Sequence, residues 1–142
     1  METIVKEFRE FSPDELYDIL KSRVDIFMLE QRCLYEELDN IDKQAIHICI
    51  RDPDLKAYCR IIRKDNYAII GRVLSIDREK GYGKAVMEKA IDVCREQGYN
   101  LIEIEAQSYA KQFYEKLGFI QTSDEFDLDG IKHIKMELKM VN

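Results

Sequence analysis

Two hydrophobic periods alternate along the chain, and the points where one gives way to the other mark its elements. Leu16, Ile19, Leu20, Val24, Phe27 and Met28 recur at spacings of three and four, which places them on one face of a helix. Ser12-Pro13-Asp14-Glu15 stands directly before this stripe. The serine can accept from the backbone three residues on, the glutamate can reach back, and proline gives up no needed N–H at a first helical position. The pattern predicts an amphipathic helix over 13–30, preceded by a strand over about 3–10. Residues 31–44 hold no sustained period and read as a loop with at most a short helical turn.

Strict alternation follows. Ile46, Ile48 and Ile50 lie on one face of a strand over 45–51, Asp52-Pro53-Asp54 turns the chain, and a second strand over 55–63 closes a hairpin. Lys64-Asp65-Asn66 is another turn, and 67–76 is a third strand. The helical period then returns through Gly83, Val86, Met87, Ala90, Ile91 and Cys94, and Gly98 supplies a left-handed stop. A strand over 100–106 carries Ile102 and Ile104 on one face. A short helix over 108–117 has Ala110, Phe113, Tyr114 and Leu117 along one side and ends at Gly118. Strands over 119–122 and 131–140 complete the chain, joined through Asp129-Gly130, with His133 reading as an outward-facing strand residue. Tyr58, Tyr67, Tyr82 and Tyr99 read as packing residues of the sheet and helix ends.

The strand–helix–strand unit over 67–106 calls for parallel strands and a right-handed crossover, and antiparallel hairpins flank it. The expected fold class is α+β: a mixed, mostly antiparallel twisted sheet with helices on its faces. No linker, repeat or low-complexity segment divides residues 1–142, so one domain is expected. At this size a chain buries roughly 70% of its unfolded surface.

Composition narrows the partners. Lys and Arg number 22 against 28 Asp and Glu, a formal net charge of −6, which argues against nonspecific nucleic-acid binding. Apolar runs reach only four residues, far short of the ~20 that span a membrane. The charged start METIVKEFREF lacks an apolar h-region and is not expected to act as a signal peptide. Cys33, Cys49, Cys59 and Cys94 are never closer than ten residues, and neither His47 nor His133 has a second ligand at metal spacing. Reduced, buried thiols, a cytoplasmic location and no metal are expected.

The most informative turn is Arg78-Glu79-Lys80-Gly81-Tyr82-Gly83-Lys84, which joins a strand to a helix. A helix start leaves N–H groups unpaired and is electropositive. Glycines let an oxyanion approach the backbone. Three cations against Glu79 at an end that already repels cations favour a bound anion. A magnesium-nucleotide P-loop fails, because Arg78 replaces its first glycine and Ala85 its Ser/Thr. A dinucleotide fingerprint fails at Val86, which takes the place of its third glycine. Arg-x-x-Gly-x-Gly is satisfied by Arg78, Gly81 and Gly83.

REKGYGKAVM after YAIIGRVLSID, followed by EAQSYAKQFYEKLGF, resembles the GCN5-related N-acetyltransferase family over nearly the whole chain. QRCLYEELDNIDKQAIH, GRVLSI, AQSYAKQFYEKLGF and DGIKHIKME resemble its ElaA-like branch. The resemblance implies a splayed sheet with helices on both faces, acetyl-CoA as co-substrate, and transfer of acetyl to a small-molecule or peptide amine. Arg78, Glu79, Lys80, Gly81, Tyr82, Gly83 and Lys84 would wrap the CoA pyrophosphate, mainly through backbone N–H groups. Val73, Leu74 and Ser75 would pair with the pantetheine as with an added strand. The thioester would lie between the strands ending near Ser75 and Ala106. Gln107 takes the place of an asparagine that contacts pantetheine in many members, and Glu79 the place of a common glycine. Tyr114, in Phe113-Tyr114-Glu115-Lys116-Leu117-Gly118-Phe119, matches the general acid. Many members form homodimers through the sheet edge or the last strands, which leaves that option for this chain.

The chemistry wants such an acid, because CoA leaves as a thiolate and a phenol can protonate it. A backbone N–H near Leu74 would meet the oxyanion. Candidates for the base are Glu36, Glu37, Asp39, Asp42, His47, Glu103 and Glu105. Tyr35 and the four acids of YEELDNID would form an acidic rim that draws in a cationic amine. Cys33 and Cys59 have no paired base, which favours direct attack in a ternary complex over a covalent enzyme intermediate. The alternative is a CoA-binding or interaction module that kept the fold and lost transfer; an oxidoreductase stands third, disfavoured by Val86 and by length.

Overall fold

In the computed structural model, which describes residues 1–32 and 36–141, eight strands form one sheet. They are β1 (Glu2–Glu7), β2 (Ile46–Arg51), β3 (Leu55–Arg63), β4 (Ala68–Ser75), β5 (Leu101–Gln107), β6 (Ile120–Gln121), β7 (Phe126–Leu128) and β8 (Ile131–Lys139). Their order is β1-β2-β3-β4-β5-β8-β6, with β7 also on β8. Every pairing is antiparallel except β4–β5, the parallel pair expected of the crossover. Cys33 and Tyr35 of the sequence reading lie outside the described residues.

The helices are α1 (Pro13–Arg23), α2 (Tyr82–Glu96) and α3 (Lys111–Lys116). Ser12 and Glu15 form the expected capping box at the start of α1. The helix does not run as one α-helix to residue 30. Val24–Glu30 is wound as a π-helix that ends with Gln31 N–H on Ile26 O at 3.0 Å. The stripe of α2 (Val86, Met87, Ala90, Ile91 and Cys94) is buried on one face of the sheet. Each of its larger side chains contributes ~1.5–3 kcal/mol by burial. The opposite face is covered by Ile19 and Phe27 of the α1 arm, packed on Cys49, Leu55, Tyr58 and Leu74. Among the described residues no helix is long and apolar enough to cross a membrane.

Two departures bear on the site. Phe126–Leu128, which carries no alternation to read, is a strand, and Asp129 (φ 52°) and Gly130 (φ 79°) turn it tightly into β8. His133 is 8% exposed rather than outward-facing. Ile134, Met136 and Leu138 do take the core face, but the other face of β8 at His133 is covered.

Candidate active site

A bulge opens the sheet. Tyr58 pairs with Leu74 and Arg60 with Gly71, so Cys59 alone on β3 faces Arg72 and Val73 on β4. Arg72 takes φ 52° to fit the extra residue, and such a bulge bends its strand and locally strengthens the twist. β4 pairs with β5 only through Ala68–Ile102 and Ile69–Glu103. Beyond Ile69 the two strands part, and the edge of β4 from Gly71 to Ser75 that faces β5 carries no strand among the described residues.

A cavity of about 420 Å³ occupies this region. Gly71, Arg72 and Val73 line one wall; Glu103, Glu105 and Gln107 line another; Tyr114 and His133 also face it. Gln31 closes across it, accepting on Oε1 from Gln107 Nε2 at 2.7 Å. The π winding thus ends in a residue that bridges to β5, in keeping with the frequent occurrence of π turns at functional sites.

The glycine turn lies at the end of β4. Its left-handed positions are Asp77 (φ 55°) and Gly81 (φ 79°). Glu79 lies within the 3-10 turn Arg78–Lys80 and needs no glycine. Among the described residues no side chain caps the first turn of α2, and no acidic residue stands in that turn, so its leading N–H groups keep their capacity for an anion. A Cβ at Gly83 would stand 3.5 Å from Ser75 Cβ and 3.8 Å from Phe113 Cζ. The structure therefore brings the end of β4, the glycine turn and the Phe113-Tyr114 step together. Tyr82 does more than pack: its hydroxyl donates to Asp52 Oδ2 at 2.8 Å. Arg78 donates to Glu30 Oε1 at 3.0 Å in an exposed ion pair, while Lys80 and Lys84 are exposed.

Tyr114 is buried, edge-on to Phe113 and Phe119 at centroid separations of 5.1 and 5.9 Å. Burial pushes its phenol well above the usual range, so it stays protonated at neutral pH. Burial likewise raises the thiols of Cys49 and Cys94 to about 12 and raises that of Cys59. Buried thiols of this kind are poor nucleophiles.

The acidic rim expected at 35–42 is overturned for its central members. Arg23 Nε donates to Glu37 Oε2 at 2.6 Å and its Nη1 to Asp42 Oδ1 at 2.7 Å. Arg60 bonds Asp39 at 2.6 and 2.9 Å and Asp42 at 3.0 Å. Arg72 adds Glu37 at 3.0 Å and Asp39 at 3.4 Å. Three acids face three guanidinium groups, and no free acidic rim remains there. Beside Arg60 the Asp39 carboxyl falls to about 2, and Arg23 and Arg60 lower that of Asp42. His47 is no base either: Tyr58 Oη occupies its Nδ1 at 2.7 Å and the Asp42 carbonyl its Nε2 at 2.9 Å. Both ring nitrogens are committed. Glu103 and Glu105 are the sequence-derived base candidates that face the cavity.

A sheet that opens at a bulge beside an uncapped helix start is the architecture that the resemblance to N-acetyltransferases implies. The family model of the Acetyltransferase (GNAT) domain matches residues 9–140. Over 147 aligned residues the chain is 33% identical to a UPF0039 protein of Schizosaccharomyces pombe, covering 99% of this chain and 98% of the relative. It is 30% identical to protein ElaA of Escherichia coli over 93% of this chain and 92% of ElaA. The crystal structure of Escherichia coli ElaA superposes with a TM-score of 0.90 at 29% identity, over 97% of this chain and 99% of that one. That of an acyl-CoA N-acyltransferase from Pseudomonas aeruginosa gives 0.89 at 29%, with the same shares covered. The chain belongs to the GNAT acetyltransferase family, and its relatives include ElaA.

Proposed function

We propose that this protein is an acetyl-CoA-dependent N-acetyltransferase that moves acetyl to a primary amine by direct attack in a ternary complex. One observation carries the reading: beyond Ile69 the side of β4 that faces β5 pairs with no strand among the described residues, and from the cavity at Gly71–Val73 it leads to Ser75, beside Gly83 in the first turn of α2. An extended ligand with amides at one end and phosphates at the other matches that sequence of surfaces.

The residues present suit such a ligand. Gly83 keeps open a cradle that a larger side chain would narrow toward Ser75 and Phe113. Ser108 Oγ, directly after β5, is buried without a hydrogen-bond partner among the described residues. The first-turn N–H groups of α2, with Lys80 and Lys84, hold the pyrophosphate; the β4 edge at Val73, Leu74 and Ser75 pairs with the pantetheine amides. Bound acetyl-CoA supplies the thioester. Tyr114 gives its proton to the departing sulfur, and a backbone N–H near Leu74 receives the carbonyl oxygen's charge. With Cys49, Cys59 and Cys94 held as thiols, direct attack is favoured over an acyl-enzyme. Buried free thiols also suit a reducing, cytoplasmic setting.

Melting in the presence of acetyl-CoA, NAD and ATP tests the cofactor. At a concentration of about 100 Kd a ligand stabilises by ~2.7 kcal/mol, a rise on the order of 5–10 °C for a chain of this size. The rise is expected with acetyl-CoA alone, and its absence would remove the reading. Thiol release with polyamines, amino acids, aminoglycosides and peptides then separates transfer from a binding module.

A further inference from the structure

We propose that His133 is the proton acceptor of the transfer reaction, taking the proton of the attacking amine on Nε2. This rests on the transfer reading above and names a residue for the step that reading leaves without one.

Two strand registers hold the ring. Across β5 it faces Gln107, and across β7 it faces Phe126. Phe126 stacks on it at a centroid separation of 6.1 Å and 28°. The tight turn at Asp129-Gly130 sets the second register. His133 is 8% exposed and lines the same cavity as Tyr114 and Gln107.

One hydrogen bond determines which nitrogen is available. Nδ1 lies 2.8 Å from the Ile131 carbonyl oxygen. A carbonyl oxygen only accepts, so Nδ1 carries the hydrogen, and in the neutral ring Nε2 keeps its lone pair. Nε2 has no partner among the described residues. His47 shows the contrast, with both nitrogens spent on Tyr58 and Asp42.

The competitors are weaker by chemistry. Glu37, Asp39 and Asp42 are neutralised by arginines. Glu103 and Glu105 face the cavity, but carboxylates as a class hold protons far less tightly than an alkylammonium, and imidazole narrows that gap. The other charged groups that line this cavity are Arg60 from β3, Arg72 from β4, Glu103 and Glu105 from β5, Asp129 from the turn, and Lys135 and Glu137 from β8. Asp127 of β7 is tied to Lys132 at 3.0 Å.

The step balances. The ammonium gives one proton to Nε2 and keeps the electron pair on nitrogen. That pair forms the C–N bond at the thioester carbonyl carbon, and the C–S bond breaks with its pair going to sulfur. Tyr114 protonates the sulfur and recovers a proton from the new amide nitrogen. His133 returns its proton to solvent.

The test follows thiol release from acetyl-CoA, with water alone as acceptor and with spermidine. His133→Asn keeps a donor where Nδ1 stands and removes Nε2. We expect a rate loss of about 100-fold, disappearance of the ascending limb of the pH–rate profile, and partial rescue by free imidazole. The melting shift with acetyl-CoA should be unchanged. A rate within twofold of wild type with the limb retained would overturn the assignment. So would loss of that limb in Glu103→Gln or Glu105→Gln instead. Nitrogen chemical shifts of the wild-type ring add a measurement free of folding effects: protonated Nδ1 with bare Nε2 is expected, and the opposite tautomer refutes the proposal. Wild type that gains no stability from acetyl-CoA would count against the transfer reading, whatever the ring shows.

Discussion

Arg72 and Arg23 share one oxygen of Glu37: Arg72 Nε reaches Glu37 Oε2 at 3.0 Å and Arg23 Nε reaches it at 2.6 Å. Through that atom the β4 bulge is bound to the end of α1 and to the segment at 36–42. The arrangement holds the mouth of the cleft with charge rather than with apolar packing. Arg23 is 1% exposed, and removing one partner of a buried ionic set leaves the others uncompensated. Arg23→Met is therefore expected to cost about 3–5 kcal/mol in denaturant unfolding, clearly more than Asp39→Asn at the better-solvated edge. Equal costs for the two would show that burial of the set matters little.

The same network fixes the response to acid. A group whose pKa is lower folded than unfolded stabilises the fold above the unfolded value and loses that contribution as pH falls toward the folded one. His47, lowered by burial from 6.5, starts its loss as pH drops below that value. Asp39, from 3.8 to about 2 beside Arg60, and Asp42, lowered from 3.8 by Arg23 and Arg60 against its own burial, add theirs below pH 4. Stability against pH should fall in two stages, and His47→Gln should remove the upper stage alone. A single fall near pH 4 in the wild type would contradict the buried neutral imidazole.

Much of this framework was legible along the chain, and the failures have physical causes. The strand 55–63 lies where the turns Asp52-Pro53-Asp54 and Lys64-Asp65-Asn66 bound it. Gly81 of the Arg-x-x-Gly-x-Gly pattern stands left-handed, a conformation that favours glycine. The π winding of 24–30 escaped because Val24, Phe27 and Met28 fit an α period equally well. The acidic rim was misread because charges were read along one segment, whereas Arg23, Arg60 and Arg72 arrive from α1, β3 and β4. Alternation put His133 on the polar face of β8, but the strand and cavity that cover that face come from segments with no clear period of their own.

The two glycines of the turn before α2 should separate folding from the proposed binding. Gly81 sits at φ 79°, so Gly81→Ala should lower stability by about 1 kcal/mol. Gly83 lies inside α2, where a Cβ meets Ser75 at an ordinary 3.5 Å. Alanine also favours helix there. Gly83→Ala should match or exceed wild-type stability while weakening acetyl-CoA at least tenfold, read by calorimetric titration. Undiminished affinity would place the phosphates elsewhere.

Tyr114→Phe separates packing from chemistry. The ring is held by Phe113 and Phe119, and phenylalanine preserves that shape, so unfolding should shift by less than about 1 kcal/mol. The proton is what disappears. Burial keeps the wild-type phenol protonated, and in the proposed mechanism its hydroxyl would act at the step where sulfur departs rather than when acetyl-CoA binds. The expected result is a drop in kcat on the order of 100-fold with acetyl-CoA affinity changed less than threefold. Steady-state thiol release alongside a binding titration reads both quantities. A variant with wild-type turnover would reduce Tyr114 to a packing residue and leave the sulfur to be protonated by solvent.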